Sequence, residues 1–138
     1  MALHLIKLCV GIDSIEHLRE RIAWRMQQEG VARHVTRMTP KRGEELLAGG
    51  ALYWVIKRQV QARQAIIGLE PVVGEDGIKR CAIMLEPQLI ATRPQPRRPF
   101  QGWRYLRSED APDDLPPGLE FSDMPPKMRQ ELLELGLI

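Results

Sequence analysis

Two apolar blocks constrain the fold of this chain more than any other feature of its sequence. Residues 51–56 are rich in aromatic and β-branched side chains, and residues 78–85 form a second block of apolar character. Both blocks have the composition of strands, and both are far shorter than the about 20 residues that a membrane helix needs. The Asp76-Gly77 pair ahead of the second block is a typical hairpin signal. We therefore expect a sheet of mostly antiparallel strands at the centre of the fold.

The segment between the two blocks leaves two alternatives open. Residues 57–69 either continue one long bent strand or return as the second strand of a hairpin that turns near Arg58. Arg63 and Gln64 interrupt the apolar pattern of this segment. A polar pair on a central strand indicates an open cleft or a buried hydrogen-bond network, and the sequence does not separate the two.

A strand followed by a helix is predicted at the start of the chain. Residues 4–10 form the strand, which Gly11 ends. Asp13 is expected to cap the helix, with Glu16 completing a capping box, and Gly30 has the character of a helix end.

The remaining segments alternate between short elements and loops. Residues 31–38 are predicted as a second strand, and Thr39 with Pro40 has the pattern of an N-cap followed by the first residue of a short helix. The Arg- and Pro-rich residues 92–99 are expected to be extended without regular pairing. Residues 100–106 have the character of an anchored loop or a short strand.

The chain has 138 residues, which suits one domain. We predict a single domain over residues 1–138, with a core at about 3–106. An acidic, Pro-rich connection over residues 108–122 and an amphipathic helix over residues 124–135 complete it. The fold class is α+β, with a small mixed, mostly antiparallel sheet and flanking helices.

Charge is distributed unevenly along the chain. Residues 1–107 contain 18 Lys or Arg and 10 Asp or Glu, whereas residues 108–138 contain 2 and 8. Either the acidic tail folds back and pairs with the basic body, which is the safer interpretation, or the body meets an anionic partner that the tail modulates.

Several classes of function lack support in the sequence. No membrane segment and no secretory leader is predicted, and Cys9 and Cys81 lie in apolar settings without CxxC spacing, so we expect reduced thiols and a cytoplasmic location. The histidines fit no metal-binding spacing, and no phosphate loop or dinucleotide fingerprint occurs. We therefore predict neither a metal nor a cofactor.

Binding of an anion is better supported than catalysis. Arg and Lys neutralise phosphates, aromatic faces stack on unpaired bases, and both types occur together in the middle and late parts of the chain. In the alternative interpretation, the aromatic residues close one end of the sheet and the arginines pair with the acidic tail. The residues that we expect to line a binding site are Arg37, Lys41, Arg42, Trp54, Arg63, Arg98, Trp103 and Arg104.

Three stretches of the chain resemble a family of small, full-length proteobacterial proteins that is classed only as a domain of unknown function. They are MALHLIKLCVGIDSIE, GGALYWVIKRQVQARQAI and FQGWRYL. The resemblance covers nearly the whole chain and implies a single-domain protein without assigning an activity. A weaker resemblance, of architecture, is to the PUA-like superfamily with its ASCH and EVE domains. It implies a small β-barrel that binds RNA or modified bases.

These observations lead to three hypotheses of function. The first is a PUA-like module that binds RNA or a modified nucleotide. The second is a small enzyme that acts on an anionic, nucleotide-like substrate, with His34 or Glu70 as the base. The third is an interaction protein that forms a homodimer through a strand edge or an apolar helix face. A His, Cys or carboxylate in one concave pocket with the arginines is what the second hypothesis requires.

Overall fold

The computed structural model of the chain describes residues 3–115. The predicted C-terminal helix and the second half of the acidic connection lie outside the described residues. Strands dominate the described part, and its elements in chain order are β1 (Leu3–Leu8), α1 (Ile15–Glu29), β2 (Ala32–Thr36), α2 (Gly43–Leu47), β3 (Ala51–Ile56), β4 (Gln59–Val73), β5 (Lys79–Leu85), β6 (Ile90–Pro96), β7 (Trp103–Arg107) and a 3-10 helix (Ser108–Asp110).

The strands form one open sheet in the order β2-β5-β4-β3-β1-β7, with β6 attached to β4. Strands β1 and β3 are parallel, whereas the other neighbouring pairs of described strands are antiparallel. The predicted α+β class with a mixed, mostly antiparallel sheet is therefore confirmed. Strand β4 is 15 residues long and joins the two halves of the sheet, because its first part pairs with β3 and β6 and its second part with β5.

The hairpin is the correct alternative for the segment after the first apolar block. Ile56 pairs with Gln59, so that Lys57 and Arg58 alone form the turn between β3 and β4. Both turn residues have positive φ, 50° for Lys57 and 66° for Arg58, which is the backbone of a type I′ turn.

Helix α1 begins one residue later than predicted. The prediction of Asp13 as N-cap is wrong, because the hydroxyl of Ser14 accepts the hydrogen bond from the backbone N–H of His17 at 3.1 Å. Asp and Ser are about equally good caps, so tertiary packing decides between neighbours. Gly30 ends the helix in the left-handed conformation, with φ of 74°, as predicted.

Helix α2 also begins later than predicted, at Gly43 instead of Pro40. Side chains of β7 hold the preceding loop in another conformation. The indole N–H of Trp103 donates to the carbonyl of Met38 at 2.7 Å, and the hydroxyl of Tyr105 accepts from the backbone N–H of Lys41 at 3.0 Å. These tertiary hydrogen bonds outweigh the local Thr-Pro signal for a helix start.

Residues 92–99 were expected to be unpaired, and this prediction is wrong for most of the segment. Strand β6 extends to Pro96 and pairs with β4. It has no second regular strand neighbour among the described residues, and such an edge position is where sheets tolerate proline. Residues 100–106 contain the short strand β7, one of the two alternatives for that segment.

Two apolar clusters pack on the two faces of the sheet. The larger contains Leu5, Leu52 and Ile83 with Ile15 and Leu18 of α1, and the smaller contains Ile6, Val55 and Leu106. Within residues 3–115, no helix is long and apolar enough to cross a membrane. Helix α1 therefore covers one face of the sheet, and a cavity lies along its line of contact.

Candidate functional site

A cavity of about 190 Å³ lies between helix α1 and the sheet. Its walls come from the end of β1, from α1 and from the start of β2, and its floor includes Trp54 of β3 and Gln64 of β4. The apolar stripe of α1 supplies Leu18 and Ile22 to the wall, as expected of an amphipathic helix on a sheet. The cavity thus combines apolar side chains of α1 in its wall with the polar side chain of Gln64 in its floor.

Four cations line this cavity, and none of its lining residues is acidic. They are Lys7 on β1, Arg21 and Arg25 on α1, and Arg33 on β2. Arg33 has an ion pair with Glu29 at 3.9 Å, a weak contact between exposed side chains. Within residues 3–115 the other three cations form no ion pair with an acidic side chain. The lining therefore carries an excess of positive charge, and Arg33 is the one cation of the four with an acidic partner among residues 3–115.

His34 of β2 lines the cavity and has one buried ring nitrogen without a partner in the described part of the chain. Its Nε2 is buried and has no hydrogen-bond partner within residues 3–115, while its ring stands edge-on to Trp54 with centroids 5.7 Å apart. Burial, with Lys7 and Arg25 nearby, lowers the pKa of His34 to about 4. The imidazole is therefore neutral at pH 7, and its Nε2 is a buried polar atom in the wall of the cavity without a partner among the described residues.

The floor of the cavity is held by hydrogen bonds. The indole N–H of Trp54 donates to the amide oxygen of Gln64 at 2.9 Å, and the amide nitrogen of Gln64 donates to the carbonyl of Glu86 at 2.9 Å. Gln64 is only 2% exposed. Both alternatives for this polar residue are thus realised, because Gln64 belongs to a buried network and also lines an open cavity.

Arg63 lies on the opposite face of β4 from Gln64. Its guanidinium makes two hydrogen bonds of 2.8 Å to the carboxylate of Asp114. The backbone around Asp114 follows β6, because the N–H of Arg93 donates to the carbonyl of Asp113 at 2.8 Å. The start of the acidic segment therefore folds back on the body, and its remaining residues lie outside the described part.

The thiol of Cys9 also lines the cavity. Burial raises its pKa to about 11, against the opposing effect of Lys7 and Arg21. A reactive cysteine needs a lowered pKa, so Cys9 is a neutral thiol at pH 7 and not an activated nucleophile. Cys9 and Cys81 are both free.

The structure separates the eight predicted binding residues. Trp54 lines the cavity, and Arg63 is paired with Asp114. Trp103 is buried, and its neighbour Tyr105 lies under the guanidinium of Arg42 at 5.6 Å from the ring centroid. The remaining members are exposed cations outside the cavity, namely Arg37, Lys41, Arg98 and Arg104.

Sequence reasoning missed most of the cations that surround the cavity. Arg21 and Arg25 are absent from the predicted binding residues, but both line the cavity. Their spacing of four residues, which places them on one face of the helix, was the available signal. Glu70, the second candidate base, is exposed on β4 opposite Ala82 and does not line the cavity. No metal-binding cluster of His, Cys or acidic residues occurs within residues 3–115.

The fold and the site define an α+β protein with a cationic cavity against an open sheet. The chain belongs to a family described as a protein of unknown function, DUF1489, which matches residues 5–138. The predicted membership of a domain family of unknown function is thereby confirmed. No curated protein and no solved structure matches this chain. The resemblance to PUA-like domains is not confirmed.

Proposed function

We propose that this protein binds a small phosphorylated molecule in the cavity under α1, with a mononucleotide as the first ligand to test. The observation that supports the proposal is the lining of four cations without an acidic residue. Cations held together repel one another, and a bound anion relieves that repulsion. Arg and Lys bind phosphate through charge-assisted hydrogen bonds, which are roughly twice as strong as neutral ones.

The size of the cavity narrows the hypothesis of RNA or a modified nucleotide to a single small nucleotide. Its volume of about 190 Å³ lies below the roughly 300–1,000 Å³ of pockets for drug-sized ligands. A ligand of nucleotide size would be partly enclosed, with its phosphate at the arginines and its ring near Trp54 and His34. The neutral imidazole of His34 can exchange a hydrogen bond with a ring nitrogen or amino group.

The proposal is tested by isothermal titration calorimetry with AMP, adenosine and inorganic phosphate. We expect AMP to bind more tightly than adenosine, with an affinity that falls as salt is added. Arg25→Gln should weaken AMP binding by about tenfold or more, since a hydrogen bond to a charged group contributes about 1.5–3 kcal/mol. The matched control is Arg93→Gln, which removes one exposed cation of β6 and should change the affinity by less than about twofold. Equal losses in the two variants, or AMP binding no tighter than that of adenosine, would contradict the proposal.

The enzyme hypothesis is supported by one observation, which is that His34 lies in the same cavity as the arginines. A base with a pKa of about 4 is a weak proton acceptor at pH 7, and this lowered pKa favours binding over turnover. Chromatography of nucleotides recovered after incubation with the protein decides between them. Unchanged nucleotide supports binding alone, and a product that disappears in His34→Gln establishes an enzyme.

The homodimer hypothesis rests on exposed apolar side chains at the sheet edge. Val35 on edge strand β2 is 40% exposed, and Met38 beside it is 55% exposed. Light scattering on the same samples measures the mass in solution, and a strict monomer at high micromolar concentration removes this alternative. The proposed cytoplasmic location rests on the two free cysteines, since unpaired thiols are typical of reducing compartments.

A further inference from the structure

A second cationic surface lies at the end of the β3–β4 hairpin, away from the cavity. It consists of Lys57 and Arg58 in the turn and of Arg97 and Arg98 directly after β6, and we call it the basic hairpin end. The backbone N–H of Arg97 donates to the carbonyl of Arg58 at 2.8 Å. That bond brings the two pairs of cations together, and none of the four lines the cavity.

Along the sequence, no acidic residue lies within ten positions of these cations. No Asp or Glu occurs between Glu45 and Glu70 or between Glu86 and Glu109, and the basic hairpin end joins these two acid-free stretches. Within residues 3–115, no acidic side chain forms an ion pair with the four cations. As far as residues 3–115 are concerned, the cations are therefore available to an external polyanion.

The turn between β3 and β4 has two cationic residues in a backbone conformation that favours glycine. A type I′ turn needs positive φ at both central residues, and Asn-Gly is the preferred pair because Gly adopts that conformation freely. Here Lys57 and Arg58 occupy the two positions, with φ of 50° and 66°. A strained conformation in a surface turn points to a use for the side chains that cause it.

An aromatic surface adjoins the basic hairpin end. Phe100 follows Arg98 after a single proline, and the guanidinium of Arg104 lies over its ring at 4.8 Å from the centroid. A guanidinium plane stacked on an aromatic ring is itself a surface on which an unpaired base can stack. Phosphate-binding cations beside a stacking surface are the combination that single-stranded nucleic acid requires.

We propose that the basic hairpin end, together with the Arg104–Phe100 pair, binds single-stranded nucleic acid at a site separate from the small-ligand cavity. The cations hold consecutive phosphates, and a base stacks on the guanidinium of Arg104. Contacts of this kind bind many sequences with similar affinity, because every base has a stacking face. Two of the residues predicted from sequence, Arg98 and Arg104, belong to this surface.

The decisive variant replaces the turn by the pair that its backbone prefers. Lys57→Asn with Arg58→Gly removes two cations and relieves the strain, so the melting temperature should rise by a few degrees. The matched control is Lys79→Glu at the start of β5, which changes the net charge by the same amount on another hairpin. Loss of binding together with a gain in stability cannot be ascribed to unfolding.

Binding is measured by fluorescence anisotropy with labelled oligo(U) and oligo(dT) of about 12 nucleotides, a length within the usual range for one site. We expect the turn variant to bind about tenfold or more weakly at low salt, and Lys79→Glu within about threefold of the unmodified protein. The negative slope of log K against log salt should become shallower by about 1.4, since each phosphate contact on a single strand contributes about 0.7 to its magnitude.

Three results would overturn this proposal. They are unchanged binding in the turn variant, an equal loss in Lys79→Glu, and binding of a poly-glutamate peptide as tight as that of the oligonucleotides. The last result would assign the surface to an acidic protein. The proposals for the two sites can be contradicted independently, because Arg25→Gln should leave oligonucleotide binding intact and the turn variant should leave AMP binding intact.

Discussion

The two faces of the sheet carry similar polar clusters, but they differ in whether the described chain supplies hydrogen-bond and charge partners for them. On the face away from α1, His4 stands edge-on to Tyr53 with ring centroids 5.1 Å apart, beside the Arg63–Asp114 ion pair. On the face under α1, His34 stands edge-on to Trp54 with centroids 5.7 Å apart. Each cluster contains a histidine, an aromatic ring and arginine.

The difference lies in how the chain satisfies the polar atoms. Nδ1 of His4 accepts from the backbone N–H of Ala51 at 3.0 Å, its Nε2 lies 3.3 Å from the hydroxyl of Ser108, and the neighbouring arginine has its own carboxylate. Nε2 of His34 has no partner within residues 3–115, and the cations around it have no acid in the cavity lining. A polar cluster is structural where the chain provides the partners and is available to a ligand where it does not.

The largest expected effect comes from removing the hydrogen bonds of Gln64 in the cavity floor. Gln64→Leu leaves the indole N–H of Trp54 and the carbonyl of Glu86 without their partners. The indole N–H is buried and costs about 1–3 kcal/mol when unsatisfied, whereas the carbonyl of Glu86 is only partly buried and costs less, so we expect the free energy of unfolding to fall by about 2–3 kcal/mol. Urea denaturation followed by circular dichroism measures it.

A double-mutant cycle separates the hydrogen bond from the change in packing. Trp54→Phe has no indole N–H, so Gln64→Leu should cost about 1 kcal/mol less in that background than in the unmodified protein. An equal loss of unfolding free energy in the two backgrounds would mean that the hydrogen bond from the indole of Trp54 to Gln64 does not stabilise the protein.

The second expected effect is a pH dependence of stability that originates in the cavity. The pKa of His34 is about 4 in the folded protein against an ordinary value of 6.5, so the folded state binds fewer protons than the unfolded chain between these values. Stability from this group is complete above pH 6.5 and declines as the pH falls towards 4. Between pH 7 and pH 5 the loss is on the order of 2 kcal/mol.

The comparison with His4 supplies the control for that pH dependence. Burial and the nearby Arg63 also lower the pKa of His4, so both histidines destabilise the fold on acidification. Urea denaturation between pH 5 and pH 7 should show a weaker pH dependence in His34→Gln than in the unmodified protein, with a residual slope from His4. An unchanged slope in His34→Gln would contradict the predicted titration.

The sheet was predictable because its signals are local. The aromatic, β-branched character of β3 and the Asp-Gly turn before β5 require no knowledge of distant contacts. Helix starts were less predictable. Ser14 and Asp13 are about equally good caps, and the loop before α2 is set by Trp103 and Tyr105, which lie about sixty residues later in the chain.

The cavity was not predictable, because it depends on how α1 packs across β1 and β2. Arginines beside an apolar stripe commonly extend towards solvent, so the four-residue spacing of Arg21 and Arg25 placed them on one helix face without showing that they converge with Lys7. Only Trp54 of the predicted binding residues lines the cavity, since its aromatic character in a strand was visible in the sequence. Whether residues 1–138 form one domain stays a prediction.

The smallest expected effect comes from removing an ion pair on the sheet face away from α1. Asp114→Asn removes the carboxylate that pairs with Arg63 through two hydrogen bonds. Asp114 is 43% exposed at its side chain, so solvent screens the pair and we expect a loss of about 0.5–1 kcal/mol at pH 7. Thermal or urea denaturation measures this loss. The control is Asp110→Asn, because the partner of Asp110, Arg107, is 71% exposed. Loss of that exposed pair should lower the free energy of unfolding by less than about 0.3 kcal/mol.

The sign of the pH dependence identifies this ion pair. Its hydrogen bonds to Arg63 lower the pKa of Asp114, so the stability it contributes is present above the ordinary carboxyl pKa and is lost as the pH falls through the lowered value. The difference in stability between the unmodified protein and Asp114→Asn should therefore shrink in acid. A difference that stays constant from neutral pH into acid would mean that Asp114 acts by packing and not by charge. The satisfied face would then owe its stability to the same apolar contacts as the rest of the sheet.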